Sequence, residues 1–177
     1  GAGTSHSITE IADGAASGVD IAVTTGDNHL LAVNDIVSQT NLTSAVYTGH
    51  FKVKAIISDT VYEVAAVFTA TDTGTMDQAA TLLCPTGGTG TYLCTWGCDG
   101  SPATNNDVFD FALHQDTVHQ DKSNGRNKFG TAGDVDAVSR TCLLDIVAGE
   151  RISWMVLNTS GSGNITVRHL NIVLVRL

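Results

Sequence analysis

Apolar side chains recur at alternate positions in short runs along this chain, and the runs are broken by Gly, Asn, Asp, Ser and Thr. No stretch carries apolar residues at helical spacing over three turns, so the pattern predicts an all-β protein. Four runs come first: Val19 to Thr24, Asp35 to Gln39, Gly49 to Ile57 and Val61 to Thr69. Turn-rich links such as Gly26-Asp27-Asn28 join them, and the short Ser58-Asp59 link suits a hairpin. Together they predict a small antiparallel β-barrel-like module over 18–78. Ahead of it, 1–17 is rich in Gly, Ala, Ser and Thr with one apolar pair, Ile8 and Ile11, and reads as an N-terminal arm. The polar segment 71-TDTGTMDQ-78 reads as a linker or barrel edge and sets the domain boundary.

The remainder, 79–177, carries longer alternations. In Thr91 to Cys98 one face holds Tyr92, Cys94, Trp96 and Cys98 and the other holds Leu93, Thr95 and Gly97; the first is the expected core face. Asp107 to His114 sets Phe109, Phe111 and Leu113 against Asp110, Ala112 and His114. After a polar stretch from Gln115 to Arg126, Val138 to Val147 and Arg151 to Asn158 are expected to pair around a hairpin-type corner at Ala148-Gly149-Glu150. The last strand differs, because both of its faces are apolar: Leu170, Ile172 and Leu174 on one, Val173, Val175 and Leu177 on the other. A strand of this kind needs two covers. One is the second sheet of its own sandwich, and the other is a neighbouring subunit or the N-terminal module of the same chain.

Composition narrows the function classes. With 42% hydrophobic and 15% charged residues, 18 Gly and 2 Pro, the chain is globular and not disordered. Its longest apolar stretches, such as Val64 to Phe68, fall far short of the roughly 20 residues of a spanning helix, so no membrane partner is expected. No basic-then-apolar leader opens the numbering, and a start at Gly1 fits removal of an initiator methionine or a trimmed end. A formal net charge of −9 opposes phosphate backbones, and the nine Lys and Arg are scattered, so nucleic acid is not an expected partner.

Candidate chemistry is sparse. Cys84, Cys94, Cys98 and Cys142 permit free buried thiols, one or two disulfides, or a metal site; small buried thiols are the commonest case. Cys94 and Cys98 share a strand face about 13 Å apart, too far for a disulfide without a bend, and no CxxC pair occurs. His114, Asp116 and His119 lack an established ligand spacing, and the polar segment around them reads as a solvated loop. Asp107, Asp110, Asp116 and Asp121 lack the order of a calcium loop and read as acidic surface. No Gly-x-Ser-x-Gly elbow is present, and 86-TGGTG-90 has no following Lys and reads as a turn. The sequons at Asn41, Asn158 and Asn164 fit chance in a chain rich in Asn and Thr, and Trp96 and Trp154 fit core packing. No catalytic residue, cofactor or metal is therefore expected, and the chain reads as non-enzymatic.

The order of 90-GTYLCTW-96, 107-DVFDFAL-113, 143-LLDIVAGERISWMVLN-158 and 164-NITVRHLNIVLVRL-177 resembles the jelly-roll head domains of the C1q and tumour-necrosis-factor type, which recur in bacteriophage structural proteins. The upstream segments 29-HLLAVNDIV-37, 47-YTGHFKVKAI-56 and 61-VYEV-64 are similar to a small β module of phage virion proteins. The resemblance implies a jelly-roll β-sandwich of ten strands over 79–177 that trimerises through the sheet holding the terminal strand. The chain lacks the collagen repeat and the calcium loop of the animal complement proteins. Carried onto this sequence, the resemblance implies a homotrimeric capsid decoration, or cement, protein on the outer surface of a phage head. Leu170, Ile172, Val173, Val175 and Leu177 would form the trimer interface, and Ile8 and Ile11 of the arm would contact the major capsid protein. The alternative is the receptor-binding tip of a tail fibre or baseplate.

Overall fold

The computed structural model describes residues 5–177, and the chain divides into two compact units at Leu82/Leu83. It is all-β: a closed barrel, then a pair of antiparallel sheets, with one short 3-10 turn at Asp121–Ser123. The division falls four residues beyond the expected boundary.

The first unit is a six-stranded antiparallel barrel built from β1 (Ser5–Asp13), β2 (Asp20–Thr25), β3 (Ile36–Thr40), β4 (Gly49–Ser58), β5 (Val61–Ala65) and β6 (Gly74–Gln78), closed in the order β1-β2-β5-β4-β3-β6. Every second side chain points inward, so Ile8, Ile11, Ile21, Val23, Val37, Val53, Tyr62, Val64 and Met76 fill its interior. Inside the barrel the Gln39 amide nitrogen donates to the Tyr62 hydroxyl at 3.0 Å. The Ser58-Asp59 hairpin forms as expected, with Val53 opposite Val64 and Ala55 opposite Glu63, and two bulges bend β4 around the barrel.

Two expectations for this region are corrected. The segment expected to be an arm supplies β1, which pairs with β2 on one side and β6 on the other. Ile8 and Ile11 are almost completely buried inside the barrel and are not available to a capsid partner. The expected linker supplies β6, which bridges β1 and β3 and leaves no free edge. One physical reason covers both segments. Their short polar side chains face outward, and the few inward ones are too widely spaced to register as a strand without the neighbours that bury them. Gly74 opens β6 because a Cβ there would stand 2.6 Å from the Thr40 carbonyl oxygen.

In the second unit, β7 (Thr81–Leu83), at the division itself, neighbours β13 (Arg151–Asn158), which pairs with β9 (Val108–Gln115). The short strands β10 (Val118–His119) and β11 (Gly125–Lys128) also pair with β9. A separate three-stranded sheet has β8 (Gly90–Pro102) at its centre, flanked by β12 (Asp136–Ile146) and β14 (Ile165–Arg176). Apart from β9, β10 and β11, which follow one another within the first of these sheets, the chain alternates between the two sheets from β7 to β14, a path compatible with a jelly-roll sandwich. Eight strands are present among the described residues, not ten, and no strand lies beyond β14.

The same path corrects the expected hairpin. β12 and β13 belong to different sheets, as do β13 and β14, so neither pair is hydrogen-bonded as neighbours. The 147–150 corner instead carries the chain from one sheet to the other. It is held by Gly149 at φ 91° and by the Glu150 carboxylate, which accepts from Val147 N–H at 2.6 Å and from the Gln115 amide at 2.5 Å.

The core of this unit is aromatic. Trp96 of β8 is fully buried, 6.2 Å from Phe111 and 6.0 Å from Trp154 between ring centroids, and its indole N–H donates to the Ser123 carbonyl at 2.9 Å. Ser123 is itself buried, accepting from Leu113 N–H at 2.8 Å and donating to the Gln120 carbonyl at 2.7 Å. The polar Gln115–Arg126 stretch is thereby folded against the core and not left as a solvated loop. Gly125 is required for this approach, since a Cβ there would meet the Trp96 ring at 2.9 Å.

The barrel assignment has a direct test. Deleting residues 1–13 is expected to abolish cooperative urea unfolding of the first unit, and Ile11→Ala to lower its stability by about 2–5 kcal/mol. A dispensable arm would leave both urea midpoints unchanged.

Candidate functional site: the outer face of the three-stranded sheet

Alternation along three registered strands sorts the side chains of this sheet into two sets. Inward go Cys94, Trp96 and Cys98 of β8, Leu144 and Ile146 of β12, and Ile172 and Leu174 of β14, all part of or packed on the core. Outward go Leu93, Leu143, Val173 and Val175, with Leu177 beyond the end of β14; their exposures are 38%, 48%, 45%, 50% and 73%. Register aligns them in rows. Leu143 and Val175 flank Leu93, and in the next row Thr141 and Val173 flank Thr95. The Thr95 and Thr141 hydroxyls satisfy one another at 3.1 Å. A third row is Ser139, Gly97 and Asn171.

No side chain in these three rows is charged. Charge begins only at the two ends. At one, Asp145 accepts from the Thr91 hydroxyl at 2.6 Å; at the other, Asp99 binds His169 Nδ1 at 2.8 and 2.9 Å, and that contact holds the Asp99 carboxyl below the usual carboxylate range. A neutral face of valine, leucine and threonine presents no titratable or nucleophilic pair for chemistry. What it can do is bury itself against a matching surface.

The residues expected to form the interface are therefore divided. Val173, Val175 and Leu177 share the outer face. Ile172 points inward and packs on the core, and Leu170, two residues earlier on the same side of the strand, stays 46% exposed and outside that core. Leu93, Thr95, Thr141 and Leu143 were missed. The alternation of β8 had already put Leu93 and Thr95 on its non-core side, but only strand pairing places them beside Val173 and Val175.

The remaining candidates are engaged separately. Asp107 accepts from the Thr104 hydroxyl and from the Asn158 amide, the latter at 3.0 Å. Asp110 accepts both arms of Arg126, at 2.6 and 2.7 Å, and this pairing holds its carboxyl below the usual range. Asp116 closes the β9–β10 turn by accepting from Arg151 N–H at 2.9 Å, and Asp121 lies near His119 at 3.4 Å. The His114 and His119 rings meet edge to face at 5.2 Å. Among the described residues no group of three His, Cys, Asp or Glu is placed to hold a metal ion. Asn158, in one of the sequons, has its amide committed to Asp107 and to the Gly163 carbonyl at 2.8 Å.

No family model matches the chain, and no curated protein and no solved structure matches it either.

The Asp110–Arg126 pair makes a pH prediction. The folded carboxyl titrates below its unfolded value, so its contribution is complete above the unfolded pKa and is lost as pH falls through the folded one. Arg126→Ala is expected to lower the urea midpoint at neutral pH, and the gap to wild type to close on acidification through that range. A gap that is constant with pH would contradict the assignment.

Proposed function

We propose that this chain is a virion structural protein without enzymatic activity, a capsid decoration protein that works as a homotrimer on the outer surface of a phage head. The observation that carries the reading is the uncharged outer face of the β12-β8-β14 sheet, which leaves Leu93, Leu143, Val173 and Val175 partly in water. Isolated exposed apolar residues are ordinary on protein surfaces, whereas aligned rows of them on one sheet face are a liability unless covered. A closed symmetric assembly of identical chains covers such a face without leaving a copy of it exposed.

The role is mechanical. A trimer that binds the assembled, expanded lattice more tightly than its open form stabilises that lattice by mass action, with no chemical step. The jelly-roll-compatible strand path and the neutral face agree with the resemblance to trimeric phage jelly rolls, and the acidic composition suits a protein outside the nucleic-acid compartment. Because Ile8 and Ile11 are barrel core, the contact with the major capsid protein falls to exposed surface and not to an N-terminal arm.

Two measurements test the proposal. Val173→Asp and Leu93→Asp place a charge in the rows without entering the core, so each is expected to convert the trimer to folded monomers by native mass spectrometry, with an unchanged circular dichroism spectrum. Trimer mass retained in both variants would refute the interface. Quantitative mass spectrometry of purified particles is expected to find many copies per virion; a few copies would instead mark a fibre or baseplate tip.

A further inference from the structure

Cys94 of β8 and Cys142 of β12 stand directly opposite one another in the antiparallel register, both on the inward side of the sheet. Both are free, and the Cys94 thiol donates to the Tyr92 carbonyl of its own strand at 3.7 Å. Directly opposed residues of antiparallel strands have Cα atoms about 4.5–5.5 Å apart, within the span of a disulfide. The other two thiols are placed differently. Cys98 lies opposite Val138 and Leu170, and the Cys84 thiol faces the Tyr92 hydroxyl at 3.8 Å. One pair of the four is thus set for direct bonding.

The members of the pair are not equivalent. Cys94 is fully buried, and burial, reinforced by the neighbouring Cys142, pushes its thiol up to about 11. Cys142 is half-buried; burial raises its thiol too, and Arg140 and Lys122 offset only part of that rise. Access and nearby cations both favour Cys142 as the first to react.

We propose that Cys94 and Cys142 form a dithiol–disulfide site, oxidised by a low-molecular-weight disulfide, that seals β12 to β8. The Cys142 thiolate attacks one sulfur of the small disulfide, forming a mixed disulfide and expelling one small thiolate. Cys94 then gives up its proton to solvent, and its thiolate attacks the Cys142 sulfur, expelling the second small thiolate. Two protein thiols are oxidised and one small disulfide is reduced to two thiols. The bond closes a loop of about 50 residues across the sheet that carries the outer face. Its formation does not depend on the trimer.

The test uses the full chain incubated with oxidised glutathione at mildly alkaline pH. The thiols titrated after denaturation are expected to fall from four to two, with loss of the mass of two hydrogens and full reversal by dithiothreitol. Chymotryptic cleavage at Leu93 and Trp96 frees Cys94 from Cys84 and Cys98, so peptide mapping is expected to show a Cys94–Cys142 link. Cys94→Ser is expected to stall as a glutathione adduct on Cys142, and Cys142→Ala to leave Cys94 unmodified. Four thiols persisting in the wild type, or a link to Cys84 or Cys98, would overturn the proposal without bearing on the outer face.

Discussion

Trp96 fixes the register of β8, and with it the second unit. Its indole has a phenylalanine and a second tryptophan around it, one carbonyl to receive its N–H, and a glycine where any side chain would collide with the ring. A slip of one residue would drive this large side chain into water and bring Thr95 into the core, at a cost of several kcal/mol in lost apolar burial alone. β8 therefore has one orientation. Because it pairs along its length with β12 and β14, the orientation propagates to both neighbours.

The outer face follows from that constraint. With Cys94, Trp96 and Cys98 inward, Leu93 and Thr95 must face outward, and the register carries Leu143, Thr141, Val173 and Val175 out with them. Nothing in the packing of the core requires these to be apolar. Lysine or glutamate at such positions would protect a solvent-facing sheet from association, and the chain places neither there. A hydroxyl pair between Thr95 and Thr141 satisfies polar groups within the face and leaves them undemanding of water. The strands of the first unit, by contrast, close on themselves as a barrel.

Much of this could be read from alternation. The all-β class, the core side of β8, the phenylalanine strand β9 and most strand positions follow from period-two patterns that burial later honours. What alternation misses is partnership. β1 and β6 look like arm and linker because their polar residues dominate, and only barrel closure makes Ile8, Ile11 and Met76 core. The 115–126 stretch reads as solvated because nothing local says that Ser123 will receive an indole. The 147–150 segment reads as a hairpin because a tight corner looks the same whether it returns within a sheet or crosses between two. The terminal strand was legible as doubly apolar, but a bulge after Val167 and the pairing to β8 decide which residues face out. The Cys94–Cys142 opposition is equally non-local, resting on two strands that lie far apart in the chain.

The central claim is that the outer face of the β12-β8-β14 sheet is covered by further copies of this chain. Sedimentation equilibrium of the unmodified protein, over micromolar concentrations and in reductant, measures it most directly. The account predicts a single species of three times the chain mass. A species of one chain mass across that range would contradict it.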